Sequence, residues 1–444
     1  AMRALACLGL LEAAAADYVL RESYVGVDFF DRWNFFDADD PTRGAVDYVT
    51  KKVAFSEGLV NATRDRVYMG ADMTHRSVGR GRRSVRIESK AVYNSGLFAI
   101  TLDHIPTGCS TWPAFWMFGE DARHLWPNWG EYDIIEGVHR TSRVMTTLHT
   151  TPGCDQSSVH PNVHFRGQWE EGFGTPADNC STTAPDQWEQ QGCSQTGPAG
   201  SMGGPFHAAG GGTFAAEWDP LAGYFRTWFW PRGLEPEDLR RHKPDPNSWG
   251  MPYSYFSIAP DTCSKSHFRN MRLVFDLTFC GDLGNAFFAK ACPEVARLMS
   301  CQEFVMTNPE SMREAYWSVR SLVAYQRRSL LEEPVIDVPG RFHKRSDRRK
   351  ENLVAAAAVQ FARRSPNGGG AVGSLGAASS EDAADHSSSS RPPEASAPPP
   401  APSAKQDARS AKHEAAQSGT HGEAAGAGPG AEAPPAPRKP APAP

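Results

Sequence analysis

Three carboxylates stand within six residues in Glu131-Tyr132-Asp133-Ile134-Ile135-Glu136. The residues between them, Tyr and Ile, favour strands. On a regular strand, side chains at i, i+2 and i+4 share a face. Glu131 and Asp133 therefore point together, and Glu136 points the other way. One extra residue, a β-bulge, would return Glu136 to their side. Clustered like charges repel and raise one another's pKa, so nothing about folding asks for three acids along one ridge. It is the arrangement that acid/base and nucleophilic chemistry on a glycosidic bond requires. The bland alternatives are an exposed acidic strand or a calcium site.

Such a ridge needs a sheet to carry it. Between Tyr18 and Asp282 the chain reads as short strands: Ser84–Ser89, Gly96–Leu102, Tyr132–Ile135, Val144–Leu148, Thr213–Trp218, Tyr224–Trp230 and Arg272–Leu277. Several alternate apolar and polar residues, with Gly, Pro, Asn and Asp clusters between them. Many short strands with few helical stretches predict an all-β sandwich or barrel. Helical patterning is expected only over Phe287–Met299 and Ser311–Gln326. The stretch Thr151–Gly212 is long, polar and weakly patterned, and carries Cys154, Cys180 and Cys193. Loops of that length in compact domains are usually functional or disordered.

Composition divides the 444 residues into four parts. Residues 1–19 read as a leader or partial secretory signal, with Met2-Arg3 ahead of the short apolar run Ala4 to Leu11. Residues 20–327 hold all twelve Trp and are enough for one large core. Residues 328–364 form a basic linker with a cluster from Arg341 to Lys350. Residues 365–444 are Ala, Pro, Gly and Ser with almost no large apolar side chains, the composition of a disordered tail. The net charge of −5 argues against a nucleic-acid partner. No apolar run reaches the roughly 18–20 residues that span a bilayer. Of nine cysteines, Cys7 lies in the leader and eight lie between Cys109 and Cys301. An even number suits disulfides and a secreted protein, and eight cysteines allow 105 full pairings. No C-x-x-C pair points to zinc. Asn61-Ala62-Thr63 and Asn179-Cys180-Ser181 are glycosylation sequons, short enough to occur often by chance.

Gly130–Val138, GEYDIIEGV, resembles the catalytic signature of glycoside hydrolase family 16, in the branch of fungal-type laminarinases and endo-1,3(4)-β-glucanases. The resemblance continues in order through Phe29–Phe36 with Asp40-Pro41-Thr42, then Ser84–Lys90, then His104–Trp116. It goes on through Leu148-His149-Thr150, Gly210–Trp218, Trp228–Arg232, Phe279–Asp282, Asn308-Pro309 and Ala315–Trp317. It covers about residues 22–327. It implies a β-jelly roll of two antiparallel sheets with a concave substrate cleft and short C-terminal helices. It also implies Glu131 as nucleophile, Asp133 as the group that tunes it, and Glu136 as general acid/base. Trp116 and Trp126 align with the family's cleft tryptophans, and His149 and Glu217 with its polar sugar-binding positions. Trp112 and Trp129 stay open between core and cleft, and Glu217 in an apolar strand could equally meet a buried Arg. Two departures stand out: Leu283 follows Cys-Gly-Asp where the branch usually has Trp, and His139 follows Gly-Val where Asn is frequent.

The resemblance implies a secreted retaining endo-β-glucanase, free outside the cell or associated with the cell wall, acting as a monomer on β-1,3-glucan or mixed-linkage β-1,3/1,4-glucan. No cofactor and no metal is expected. Two competing classes remain: a non-catalytic glucan-binding or wall-structural protein, and a transglycosylase that remodels wall glucan.

Overall fold

The alternating segments pair into two large antiparallel sheets in the computed structural model, which describes residues 18–330. Across the first, here the cleft sheet, the strands run Gln168–Trp169, Cys193–Thr196, Met145–His149, Glu131–Glu136, Thr111–Gly119, Met271–Phe279, Arg86–Ser89 and Trp33–Phe36. Across the second, the back sheet, they run Ser254–Ser257, Tyr224–Pro231, Gly212–Asp219, Gly96–His104, Tyr316–Arg327, Val67–Gly70 and Val60–Ala62. Strand Tyr18–Tyr24 also pairs with Tyr316–Arg327. This is the expected all-β sandwich. Every strand predicted from alternation is present, with ends shifted by at most two residues.

The core lies between the sheets. Phe115, Met117, Tyr132 and Leu273 from the cleft sheet and Phe98, Ile100, Phe214, Ala216 and Trp218 from the back sheet join one buried cluster. Residues at the intervening positions face outward. On the back sheet, Leu97, Ala99, Ala215 and Val323 are covered by Leu239 of the short helix Glu237–Arg240.

One expected element is wrong. Ser311–Gln326 is not a helix: after the turn Pro309–Met312 it becomes the strand Tyr316–Arg327. Trp317, Val319, Leu322 and Ala324 face the core. The register slips between Val319 and Ser321, so the apolar spacing is 2, 3, 2 and imitates a helical period. Helices do occupy the neighbouring segment, as Gly281–Ala291, Pro293–Ala296 and Cys301–Thr307. Cys109–Cys292 and Cys280–Cys301 fasten them to the ends of the cleft-sheet strands Thr111–Gly119 and Met271–Phe279.

Cys154–Cys263 and Cys180–Cys193 hold the long connection after Met145–His149. All eight domain cysteines are thus paired. The expected leader gives up its last two residues to the sandwich, since Tyr18 and Val19 open a strand and Tyr18 is buried. The expected linker likewise begins inside the described residues, with Arg328–Leu330 forming a short 3-10 helix. The rest of the leader, the linker and the Ala/Pro-rich tail lie outside the described residues.

Candidate active site

The strand Glu131–Glu136 carries the bulge that its periodicity demands. Against Met145–His149 its register runs Glu131↔His149, Tyr132↔Leu148 and Asp133↔Thr147, then slips so that Glu136 opposes Met145. Against Thr111–Gly119 it slips in the same place, with Asp133↔Trp116 followed by Ile135↔Phe115 and Glu136↔Ala114. Tyr132, Ile134 and Ile135 are each fully buried in the core. Two consecutive isoleucines therefore point inward, and Glu136 returns to the outer face beside Glu131 and Asp133. Burying both isoleucines contributes about 3–6 kcal/mol, enough to hold the kink against an unpaired backbone position.

The turn before Glu131 and the strand Thr111–Gly119 supply indole donors to the two glutamates. The Trp126 indole N–H donates to Glu131 Oε2, and the Trp112 indole N–H donates to Glu136 Oε1 at 3.0 Å. His149 Nε2 stands 3.1 Å from Asp133 Oδ2 and 4.0 Å from Glu131 Oε1. His149 Nδ1 is buried without a partner because the backbone of Gly192 lies over it. A Cβ on Gly192, at φ +65°, would come within 2.7 Å of that nitrogen. Trp116 is half-buried, and its N–H donates to Asp276 Oδ1 at 3.0 Å. Asp276 also accepts from the Tyr48 hydroxyl at 3.0 Å, and the Arg86 guanidinium lies 5.0 Å from the Trp116 ring.

Burial is the first cause that raises all three acids, ahead of their mutual repulsion. It pushes Glu131 up to about 8, with the Asp133 charge adding to it, while His149 and the Trp126 N–H oppose it. Asp133, whose side chain is only 4% exposed, is held well above the usual carboxylate range by burial and then by Glu136 and Asp276. Glu136 is raised by burial, against the pull of His149 and Trp112. Burial thus favours the protonated form of each acid, and Asp133 lies within hydrogen-bond reach of Glu131. The Asp133 charge is the nearest one that disfavours ionised Glu131. Burial likewise raises Asp276, to about 7, against the pull of Arg86.

Trp116, Trp126 and His149 are thus brought to the triad. Glu217 is not, and the expectation that it binds sugar is corrected. It lies on Gly212–Asp219 of the back sheet, on the face away from the core that holds Phe214, Ala216 and Trp218. It is fully buried. Its carboxylate accepts from the Tyr18 hydroxyl at 2.6 Å and from Arg226 Nε at 2.7 Å, with Arg327 at 3.6 Å. A buried arginine, rather than a sugar, is its partner.

Sequence reasoning left Trp112 undecided and did not single out Asp276. Both occupy outward positions of alternating strands, the only sequence signal they offer. His139, at φ +57°, sits in the left-handed region where Asn, Asp and His are the enriched side chains. Its Nδ1 accepts the Ser110 N–H at 2.9 Å and its Nε2–H donates to the Gly284 carbonyl at 2.8 Å, so the replacement of Asn is absorbed locally. Leu283 is half-buried in the first turn of Gly281–Ala291. Trp129 stacks on His124 with ring centres 4.4 Å apart.

Among the described residues, two groups have ligand atoms close enough for a cation, each within 4.8 Å: Glu131, Asp133 and His149, and His104, His207 and Glu314. The first is the triad itself. In the second the imidazoles stack at 3.7 Å and 18°, so their in-plane lone pairs run side by side instead of converging.

Residues 33–325 match the family model of the XgeA-like, catalytic GH16 domain. An endo-1,3(4)-β-glucanase of Arthroderma benhamiae is 37% identical over 328 residues, covering 73% of this chain and 68% of that protein. Some relatives are longer, and the chain spans 46% of a probable endo-1,3(4)-β-glucanase of Aspergillus clavatus. Laminarinase 16A of Phanerochaete chrysosporium, solved with β-glucans in donor and acceptor sites, has 32% identity and a TM-score of 0.62. It aligns over 70% of this chain and 100% of its own. A solved elongating GH family 16 β-1,3-glucosyltransferase has 35% identity and a TM-score of 0.61 over the same shares.

Proposed function

This chain belongs to glycoside hydrolase family 16, in its XgeA-like group, and on that premise we propose that it cleaves β-1,3-glucan or mixed-linkage β-1,3/1,4-glucan within the chain, with retention of anomeric configuration. The observation that carries this reading is the slipped register after Asp133, which gathers buried Asp133 and half-buried Glu131 and Glu136 on one face with indole donors on the two glutamates.

Retention needs two carboxyl groups about 5–5.5 Å apart, one attacking and one protonating. Glu131, in its ionised form, attacks the anomeric carbon and forms the glycosyl ester. The glycosidic C–O bond breaks as Glu136 gives its proton to the leaving oxygen. Glu136, now a carboxylate, takes a proton from water as that water's oxygen attacks the anomeric carbon and breaks its bond to the Glu131 carboxylate. Glu131 is released and Glu136 is again protonated. The Trp126 N–H holds the attacking carboxylate, and the Trp112 N–H steadies the anion that Glu136 becomes. Asp133 Oδ2 is buried without an aligned donor, a vacancy of roughly 1–3 kcal/mol that a sugar hydroxyl would satisfy. Trp116 offers an indole beside the bulge for the apolar face of a ring.

The four disulfides support an oxidising compartment and hence secretion. Transglycosylation is the second reading, favoured by the likeness to the elongating glucosyltransferase. It differs only in that a sugar hydroxyl replaces water in the second step.

The test is a product profile on laminarin, barley-type β-glucan and cellulose, with the anomeric configuration followed by NMR. New β-configured ends from the first two substrates are expected. Initial α-configured ends would overturn the retaining mechanism. No products from any substrate would overturn the catalytic reading in favour of a glucan-binding protein. Products longer than the substrate would favour transfer.

A further inference from the structure

The connection between Met145–His149 and Cys193–Thr196 presents two large aromatic side chains to solvent. Phe173 is 55% exposed and Trp188 is 59% exposed, yet their rings meet edge to face with centres 4.5 Å apart. Exposed apolar residues scattered singly need no explanation, whereas adjoining ones mark contact surfaces. This pair is also firmly held. The Cys180–Cys193 disulfide closes the segment. Inside it Gln187, 2% exposed, accepts the Asn179 N–H at 2.7 Å and donates to the Asn179 and Gly192 carbonyls at 2.9 and 2.6 Å. The Trp188 N–H donates to Gln191 Oε1 at 3.0 Å, and Gln191 donates back to the Trp188 carbonyl at 2.9 Å. The Phe173 N–H donates to the Asp186 carbonyl at 3.1 Å. Side chains that the loop could have folded inward are instead fixed outward.

The ledge adjoins the reaction centre. Four residues after Trp188 the chain reaches Gly192, whose backbone covers His149 Nδ1, and His149 Nε2 is 3.1 Å from Asp133. The turn ends beside the strand Met145–His149, with Cys193 paired to Leu148.

We infer that Phe173 and Trp188 form an outlying sugar-binding platform that extends the cleft past His149 and takes a pyranose ring of a β-glucan chain distant from the bond being cleaved. This rests on the proposed glucanase reading, which supplies a substrate long enough to reach it. A pyranose ring offers apolar C–H faces that pack on an aromatic surface, and its hydroxyls remain in water at the exposed rim. A ledge of two rings held edge to face presents one broad indole surface with little freedom to lose on binding.

The test compares Trp188→Ala and Trp188→Phe with the wild type in the full chain. Trp188→Ala is expected to lower kcat/KM on long laminarin roughly fivefold to tenfold through KM, to leave a short laminari-oligosaccharide unaffected, and to keep the melting temperature. Trp188→Phe should recover most of the loss. Equal losses on long and short substrates would overturn the platform, because the loop would then act through His149. No loss on either would overturn it as well. Affinity electrophoresis through laminarin gels in a Glu131→Gln background separates this proposal from the functional one. A Glu131→Gln chain that laminarin does not retard sinks the glucanase reading. One that is retarded equally with and without Trp188 sinks only the ledge.

Discussion

Two strands of this molecule carry the same local pattern. Glu131-Tyr132-Asp133 lies on the cleft sheet and Glu217-Trp218-Asp219 on the back sheet. In both, a fully or almost fully buried aromatic points into the core and two acids point outward. Burial raises Glu131 and Glu217 alike. The partners differ. Glu217 meets Arg226, Arg327 and the Tyr18 hydroxyl, and Asp219 meets Arg327 at 2.8 Å. Glu131 and Asp133 meet an indole N–H and an imidazole, with a third acid returned to them by the bulge. Guanidinium groups neutralise a buried carboxylate and fix it as structure. Indole donors orient a carboxylate without neutralising it, so its proton remains available for chemistry. The comparison teaches that an acidic strand becomes a site through what its neighbours leave uncompensated.

The largest expected difference is in activity. Glu131→Gln should lower kcat on laminarin by at least about a thousandfold without lowering the melting temperature. Glu217→Ala should leave kcat per folded molecule within about twofold, because its carboxylate is on the other sheet. An inactive but fully folded Glu217→Ala would erase the distinction.

Stability should show the reverse. Glu217→Ala leaves Arg226 and Arg327 facing a hole and should cost about 3–5 kcal/mol in urea unfolding. A loss under about 1 kcal/mol would mean that the arginines hold nothing together.

The pH dependence sharpens this further. Glu131 rises from 4.5 unfolded to about 8 folded. Between those values the folded state binds more protons than the unfolded one, so this group makes stability fall as pH rises. Glu131→Gln removes that loss and should be more stable than the wild type at pH 8 by at least about 1 kcal/mol. The gap should close below about pH 4.5. An equal gap at pH 4 and pH 8 would contradict the raised value.

The smallest effects separate the two indoles. Trp112→Phe removes the donor that favours ionised Glu136, so Glu136 stays protonated to higher pH and the alkaline limb of kcat/KM moves up. Trp126→Phe removes the donor on Glu131, so the acid limb moves up. Each shift should be about half a unit to one unit. Movement of the same limb in both variants would break the assignment of roles.

Period-two alternation made most of the sheet strands legible, because a strand with one buried face must alternate. The same rule located the bulge after Asp133, since three acids can act together only if two residues between them face the core. It failed at Tyr316–Arg327, where an irregular register reproduced helical spacing. It failed in another way at Glu217. Alternation assigns a residue to a face of its own strand but does not say which sheet receives that strand or what covers it.

The sequence by itself determined the alternation, the slipped triad and the family, because these are properties of neighbours along the chain and of ordered motifs. Only the tertiary structure decided which acids are neutralised. Arg226 is nine residues from Glu217 and Tyr18 is 199 away. Trp112 reaches Glu136 across a neighbouring strand, 24 residues distant, and Cys109 meets Cys292 over a separation of 183. Charge compensation depends on distance in space, weakening as the two groups separate. No reading of spacing along the chain contains that distance.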